Sequence, residues 1–89
     1  MELNNCNAVI TGGASGLGGA TADIIINNGG KVTIIDIQND LGIKKAEKLG
    51  SNCNYINIDI TDEKLVSDNF SEIVKKTGPI NLAVNCAGI

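Results

Sequence analysis

The sequence contains no histidine and no arginine. The first absence excludes, within this chain, imidazole metal sites and histidine general bases. The second leaves lysine as the only strong cation, and seven lysines against ten acidic residues give a net charge of −3. Those lysines are scattered, and the pairs Lys44-Lys45 and Lys75-Lys76 do not make a basic face. A nucleic-acid partner is therefore not expected. Cysteine is sparse: Cys6, Cys53 and Cys86 are spaced 47 and 33 residues apart. That spacing fits neither a zinc motif nor a CxxC redox pair, so no metal is expected. Three free, buried thiols in a reducing compartment are the expectation. No apolar run approaches the ~20 residues of a membrane span. Met1-Glu2-Leu3-Asn4-Asn5 lacks the basic start of a secretory signal, and the arginine-free start lacks the mark of a transit peptide. These features point to a soluble, intracellular protein with no membrane partner. Eighty-nine residues suffice for one domain or part of one, and 43% hydrophobic content is that of a globular chain.

What is present alternates between β-branched runs and helical patterns. Ala8-Val9-Ile10-Thr11, closed by Gly12-Gly13, predicts a strand over about 6–11. Leu17 to Asn28 has helical spacing, with Leu17, Ala20, Thr21, Ile24 and Ile25 expected on one face, and Gly29-Gly30 stops it. Lys31 to Asp36 predicts a buried strand, Asn39 to Leu49 a second helix carried by Ile43, Ala46 and Leu49, and Asn54 to Asp59 a third strand. Thr61 is the expected N-cap of a third helix, with Asp62 and Glu63 at its positive end. Val66, Phe70, Ile73 and Val74 form that helix's stripe, Lys75 and Lys76 sit in its last turn, and Gly78-Pro79 ends it. Ile80 to Cys86 is a fourth strand. The pattern βαβαβαβ implies an α/β fold, a Rossmann-like doubly wound parallel sheet of order 3-2-1-4.

Chemistry concentrates where strands end. Thr11-Gly12-Gly13-Ala14-Ser15-Gly16-Leu17-Gly18 places glycines at 12, 16 and 18. Gly12 would turn the chain off the strand, Gly16 would let backbone approach a pyrophosphate, and Gly18 would let the helix pack closely. The loop is neither the usual G-x-G-x-x-G nor a P-loop, because Thr21 stands at the last glycine of the former and Gly19-Ala20 where the latter needs lysine. A tight turn without ligand is the bland alternative. Asp36, 24 residues after Gly12, ends the second strand. An acid there accepts the ribose hydroxyls of NAD and repels the 2′-phosphate of NADP, and no basic residue at Gly13, Ala14 or Ile37 offsets it. The competing reading is an exposed strand-end carboxylate. Asp59, with Ile60 beside it, would accept the adenine amino group or else only cap the third helix. Asn85-Cys86-Ala87-Gly88 would let backbone lie along the nicotinamide-side ribose.

On these residues the chain resembles the short-chain dehydrogenase/reductase family. The glycine loop matches that family's T-G-x-x-x-G-x-G, Asn85-Cys86-Ala87-Gly88 resembles its N-N-A-G, and Asp59 falls where the family places an adenine-binding Asp. Cys86 departs from the commoner second Asn. That departure, with Lys48-Leu49-Gly50 and Val84 to Ile89, looks like the type-2 3-hydroxyacyl-CoA dehydrogenase branch, also known for hydroxysteroid oxidation. The resemblance covers Asn7 to Ile89. It implies cofactor contacts at Ser15, Leu17, Asp36, Asp59, Ile60 and Cys86, a sheet-bracing role for Asn85, and NAD as cofactor. It also implies an acyl-CoA or steroid-like substrate and a homo-oligomer for a full-length parent, in mitochondria or cytoplasm.

The family's catalysis uses a Ser and a Tyr-x-x-x-Lys pair, in which the Tyr passes the proton. The single tyrosine here, Tyr55, is followed four residues on by Asp59 and lies within a strand, where packing is its expected role. Residues 1–89 are therefore expected to form the N-terminal dinucleotide-binding part of one such domain, truncated before its catalytic half and inactive alone. The parent reaction is oxidation of a secondary alcohol, a 3-hydroxyacyl-CoA by resemblance, to the ketone. A non-catalytic nucleotide-binding module and a non-functional truncated gene product are the alternatives.

Overall fold

Four short strands and three helices alternate in a computed structural model, which describes residues 2–14 and 16–86. A one-turn 3-10 helix over Leu3–Asn5 leads into β1 (Asn7–Thr11). Then follow α1 (Gly16–Asn27), β2 (Lys31–Asp36), α2 (Asn39–Leu49), β3 (Cys53–Asn57), α3 (Glu63–Thr77) and β4 (Leu82–Asn85). All pairings are parallel, in the order β3-β2-β1-β4. The register sets Ile10 beside Ile34 and Val84, and Ile34 beside Tyr55. The right-handed crossover expected of parallel strands thus leads each helix back over the sheet.

Side-chain alternation along the strands divides the core in two. Ala8, Ile10, Val32 and Ile34 pack with Ala22 and Ile25 of α1, and Ala46 and Leu49 of α2 lie against them. On the opposite face Val9, Ile35 and Ile58 pack with Ile73 of α3, joined by Val66 and Phe70. Each element was legible, but several details differ from the sequence expectation.

Leu17 and Ile24 are 63% and 56% exposed, and Ala20 is exposed too. The inward face of α1 is instead Gly18, Gly19, Ala22 and Ile25. Small residues let the helix axis approach the sheet, and that close approach turns Leu17 and Ile24 outward. The third strand stops at Asn57 rather than Asp59, because Ile58 dives into the α3-side core while Asp59 folds over Thr61. The N-cap of α3 is Asp62, which accepts from Leu65 N at 3.1 Å, and not Thr61. The fourth strand is Leu82–Asn85 rather than Ile80 to Cys86; before it, Asn81 N donates to Asn7 O at 3.1 Å while the Asn81 side chain, not its carbonyl, accepts the Asn7 N–H at 2.8 Å. Val74 of the α3 stripe and Ile43 of α2 are exposed, and Cys86 is half-buried rather than buried.

Asn7 fastens the base of the sheet to the end of α3. Asn7 is buried, and its Nδ2 donates to Thr77 Oγ1 at 3.0 Å and to the carbonyls of Gly78 and Pro79 at 3.1 Å each. These bonds fix the end of α3 to β1 below the strands' carboxyl ends, and the Thr77 carbonyl, left over at the helix end, accepts from Lys31 Nζ at 3.0 Å.

Candidate functional site

The turn after β1 begins with a change of backbone hand. Gly12 and Gly16 have φ of 71° and 60°, a region that side chains with a Cβ occupy only at a cost. Gly12 N donates to Ile35 O at 2.8 Å, so the turn is hung on the end of β2. A Cβ on Gly18 would overlap the Gly12 carbonyl, so the first turn of α1 lies directly on the loop's backbone. A Cβ on Gly16, by contrast, would meet nothing within 4 Å. The loop is therefore tightly packed beneath at Gly18 and open at Gly16.

Asp36 lies at the carboxyl end of β2 and is 6% exposed. Its Oδ2 accepts from Ala14 N at 3.2 Å and its Oδ1 from Gln38 N at 2.9 Å. The exposed strand-end carboxylate is thus ruled out: the group is folded under the glycine loop. Each oxygen uses one acceptor direction on a backbone N–H and retains another. Ala14 and Gln38 were not anticipated, since a backbone donor leaves no trace in side-chain identity.

Asp59 sits beyond β3 and is exposed. Both its hydrogen bonds fall on Oδ1, from Thr61 N at 2.9 Å and Thr61 Oγ1 at 2.7 Å. The two bonds hold its pKa below the usual carboxylate value, the backbone N–H contributing most and the hydroxyl next, against a smaller upward effect of desolvation. Asp59 organises the turn before α3 without being its cap.

Asn85 ends β4, where its Oδ1 accepts from Thr11 Oγ1 at 2.8 Å, while Cys86 N donates to Thr11 O at 2.9 Å. Residues 85–86 are thereby braced against the strand that feeds the glycine loop. Ile60 joins Thr11 and Asn85 in an apolar groove of about 300 Å3, whose other walls are Val9, Val66, Phe70, Ala83 and Val84. Leu17 lies exposed at the start of α1. Ser15, Ala87 and Gly88 fall outside the described residues. The predicted site residues that are described all stand at the carboxyl end of the sheet, where open α/β folds bind ligands. A larger hollow of about 450 Å3, between β3 and α3, is lined by Thr33, Asn54, Ile56, Lys75 and Lys76 among others and includes none of them.

Among the described residues no three His, Cys, Asp or Glu side chains are grouped to hold a metal, and no helix is long and apolar enough to cross a membrane.

A doubly wound parallel sheet with a glycine turn at its first βα junction defines a Rossmann-like protein. The family model for short chain dehydrogenases matches residues 6–89, and the chain belongs to that family. Human 3-hydroxyacyl-CoA dehydrogenase type-2 is 46% identical over 82 residues, which are 92% of this chain and 31% of that enzyme. Tropinone reductase-like 2 of Erythroxylum coca is also 46% identical, over 92% of this chain and 30% of its own length. (+)-Borneol dehydrogenase 1 of Salvia officinalis is 43% identical over 92% and 32%. The crystal structure of 3-ketoacyl-(acyl-carrier-protein) reductase from Brucella melitensis, complexed with NADH, superposes with a TM-score of 0.86 at 27% identity, covering 91% of this chain and 33% of that one. The chain spans about a third of the length of the curated relatives it matches.

Proposed function

We propose that residues 1–89 form the NAD-binding part of a short-chain dehydrogenase that oxidises a secondary alcohol to a ketone. The observation that carries this reading is the Asp36 carboxylate held under the glycine loop by Ala14 N and Gln38 N. The open space at Gly16 is a cradle that any Cβ would fill, and it suits a pyrophosphate approaching backbone N–H groups at a helix start. In this assignment the 12–18 loop, with Gly12, Ser15, Gly16, Leu17 and Gly18, holds the pyrophosphate. The remaining acceptor directions of Asp36 take the adenosine ribose hydroxyls. Asp59 Oδ2, which Thr61 does not use, takes the adenine amino group beside Ile60. Asn85, Cys86, Ala87 and Gly88 line the nicotinamide side. Bound NAD supplies the hydride acceptor.

The relatives named above carry three different substrates in their names at nearly equal identity. A segment shared by enzymes of different substrates is expected to serve the common cofactor. The 3-hydroxyacyl-CoA substrate therefore rests on likeness to the type-2 enzymes alone. Cys86 in place of a second Asn favours that branch.

Asp36→Ala tests the reading. It should weaken NAD by roughly the 1.5–3 kcal/mol of hydrogen bonds to a charged group, about tenfold to over a hundredfold. Unchanged NAD affinity in a variant whose melt shows it folded would refute the assignment. The 89-residue chain alone should reduce no NAD with hydroxyacyl or steroid alcohols, and a rate abolished by a substitution in it would show otherwise.

A further inference from the structure

Tyr55 and Asn57 make polar contacts that packing does not require. Tyr55 is in β3, two residues before the strand's end, with its ring facing α2. Its hydroxyl donates to the Asp36 carbonyl at 2.9 Å and accepts from Asn57 Nδ2 at 2.9 Å. The same Asn57 amide donates to Ile37 O at 3.1 Å. The pairing of β2 with β3 ends at Asp36 opposite Asn57, so these side chains engage the last carbonyls of β2. Gly42 is buried in α2, and any side chain there would overlap the Tyr55 ring. The ring is thus seated on a helix backbone, which fixes where its hydroxyl can reach.

Residue 36 is consequently held from opposite sides. Its carboxylate is held by Ala14 N and Gln38 N, and its peptide by the Asn57-to-Tyr55 chain. Each bond in such a chain polarises the next. We propose that Tyr55, with Asn57, is a positioning residue that sets the place of the Asp36 carboxylate and so the preference for NAD over NADP. The inference rests on the assignment of Asp36 to the ribose. A purely structural role would stabilise the β2–β3 edge and affect both dinucleotides equally. A positioning role acts only on the ligand that Asp36 touches.

The experiment measures NAD and NADP dissociation constants and melting temperatures for the unmutated chain, Tyr55→Phe, Asn57→Ala, Asp36→Ala and the double variant Tyr55→Phe/Asp36→Ala. Tyr55→Phe keeps the ring on Gly42 and removes one oxygen. It should weaken NAD about threefold to tenfold, the size of one neutral hydrogen bond, with NADP unchanged or tighter. Asn57→Ala should do the same and serves if Tyr55→Phe does not fold. In the Asp36→Ala background Tyr55→Phe should have no further effect on NAD. Equal weakening of both dinucleotides, or an undiminished Tyr55→Phe effect without Asp36, overturns the proposal. If Asp36→Ala weakens NAD while Tyr55→Phe and Asn57→Ala do not, the positioning role alone fails. If Asp36→Ala leaves NAD unchanged, or the unmutated chain binds none, the ribose assignment fails with it.

Discussion

Asp36 has almost no exposed surface and, among the described residues, no ion-pair partner, and two backbone N–H groups turn towards its side-chain oxygens. Its position at a strand end was readable from the sequence, since it follows a β-branched run. Its burial was not, because the donors belong to Ala14 and Gln38 backbone. Cys53 shows burial acting on a different group. Desolvation pushes its thiol up to about 11, with Lys45 pulling weakly the other way. The unfolded thiol ionises near its ordinary value of about 8.5. Below that pH both states are protonated and the stabilising difference is fully present. It is lost as the pH rises from about 9 through 11, because the unfolded state releases its proton first. Denaturant melts at pH 7 and pH 10.5 should therefore show a loss of stability that is smaller in Cys53→Ala. An equal loss in both would indicate that other groups cause it. Alkylation at pH 8 should modify half-buried Cys86 before Cys6 or Cys53.

At the scale of elements, the closest fit in the site is between the glycine loop and α1. Gly18→Ala should destabilise by about 1–3 kcal/mol, since the new methyl overlaps the Gly12 carbonyl and the loop must shift. Gly16→Asn is the contrasting change. Asn tolerates the left-handed backbone at φ 60° and meets no neighbour, so the fold should survive while dinucleotide binding is lost. Retained binding in Gly16→Asn would move the pyrophosphate elsewhere. For α3, Asp62→Ala should cost about 1 kcal/mol of stability as a lost cap, with thermal melts as the measure. An equal or greater cost for Thr61→Ala would restore Thr61 as the cap. The number, type and order of elements were legible because period, punctuation and right-handed crossovers leave few options. The buried face of α1 was not. Apolar spacing pointed to Leu17 and Ile24, whereas close packing selected Gly18 and Ala22. The end of β3 was missed because no Gly or Pro punctuates Asn54 to Asp59, and only the turn of Asp59 onto Thr61 breaks the strand.

At the scale of the molecule, β4 is an edge with β1 on one side only. The apolar groove of Val9, Ile60, Val66, Phe70 and Val84 opens beside it. Helix α3 covers Val9 and Ile35, while α1 and α2 cover Ile34. On the β4 side Val84 is half-buried and Ala83 exposed. Unpaired edges and apolar grooves template association. The isolated 89-residue chain should sediment as more than a monomer, and Val84→Lys should shift it towards monomer. A monodisperse unmutated monomer with a steep, high-midpoint melt would contradict this. In the proposed function this sheet end binds NAD through Asp36 in preference to NADP. Calorimetric titration of the unmutated chain with each dinucleotide tests it most directly. Clear NAD binding with NADP at least tenfold weaker is the predicted result, and equal or tighter binding of NADP would contradict it.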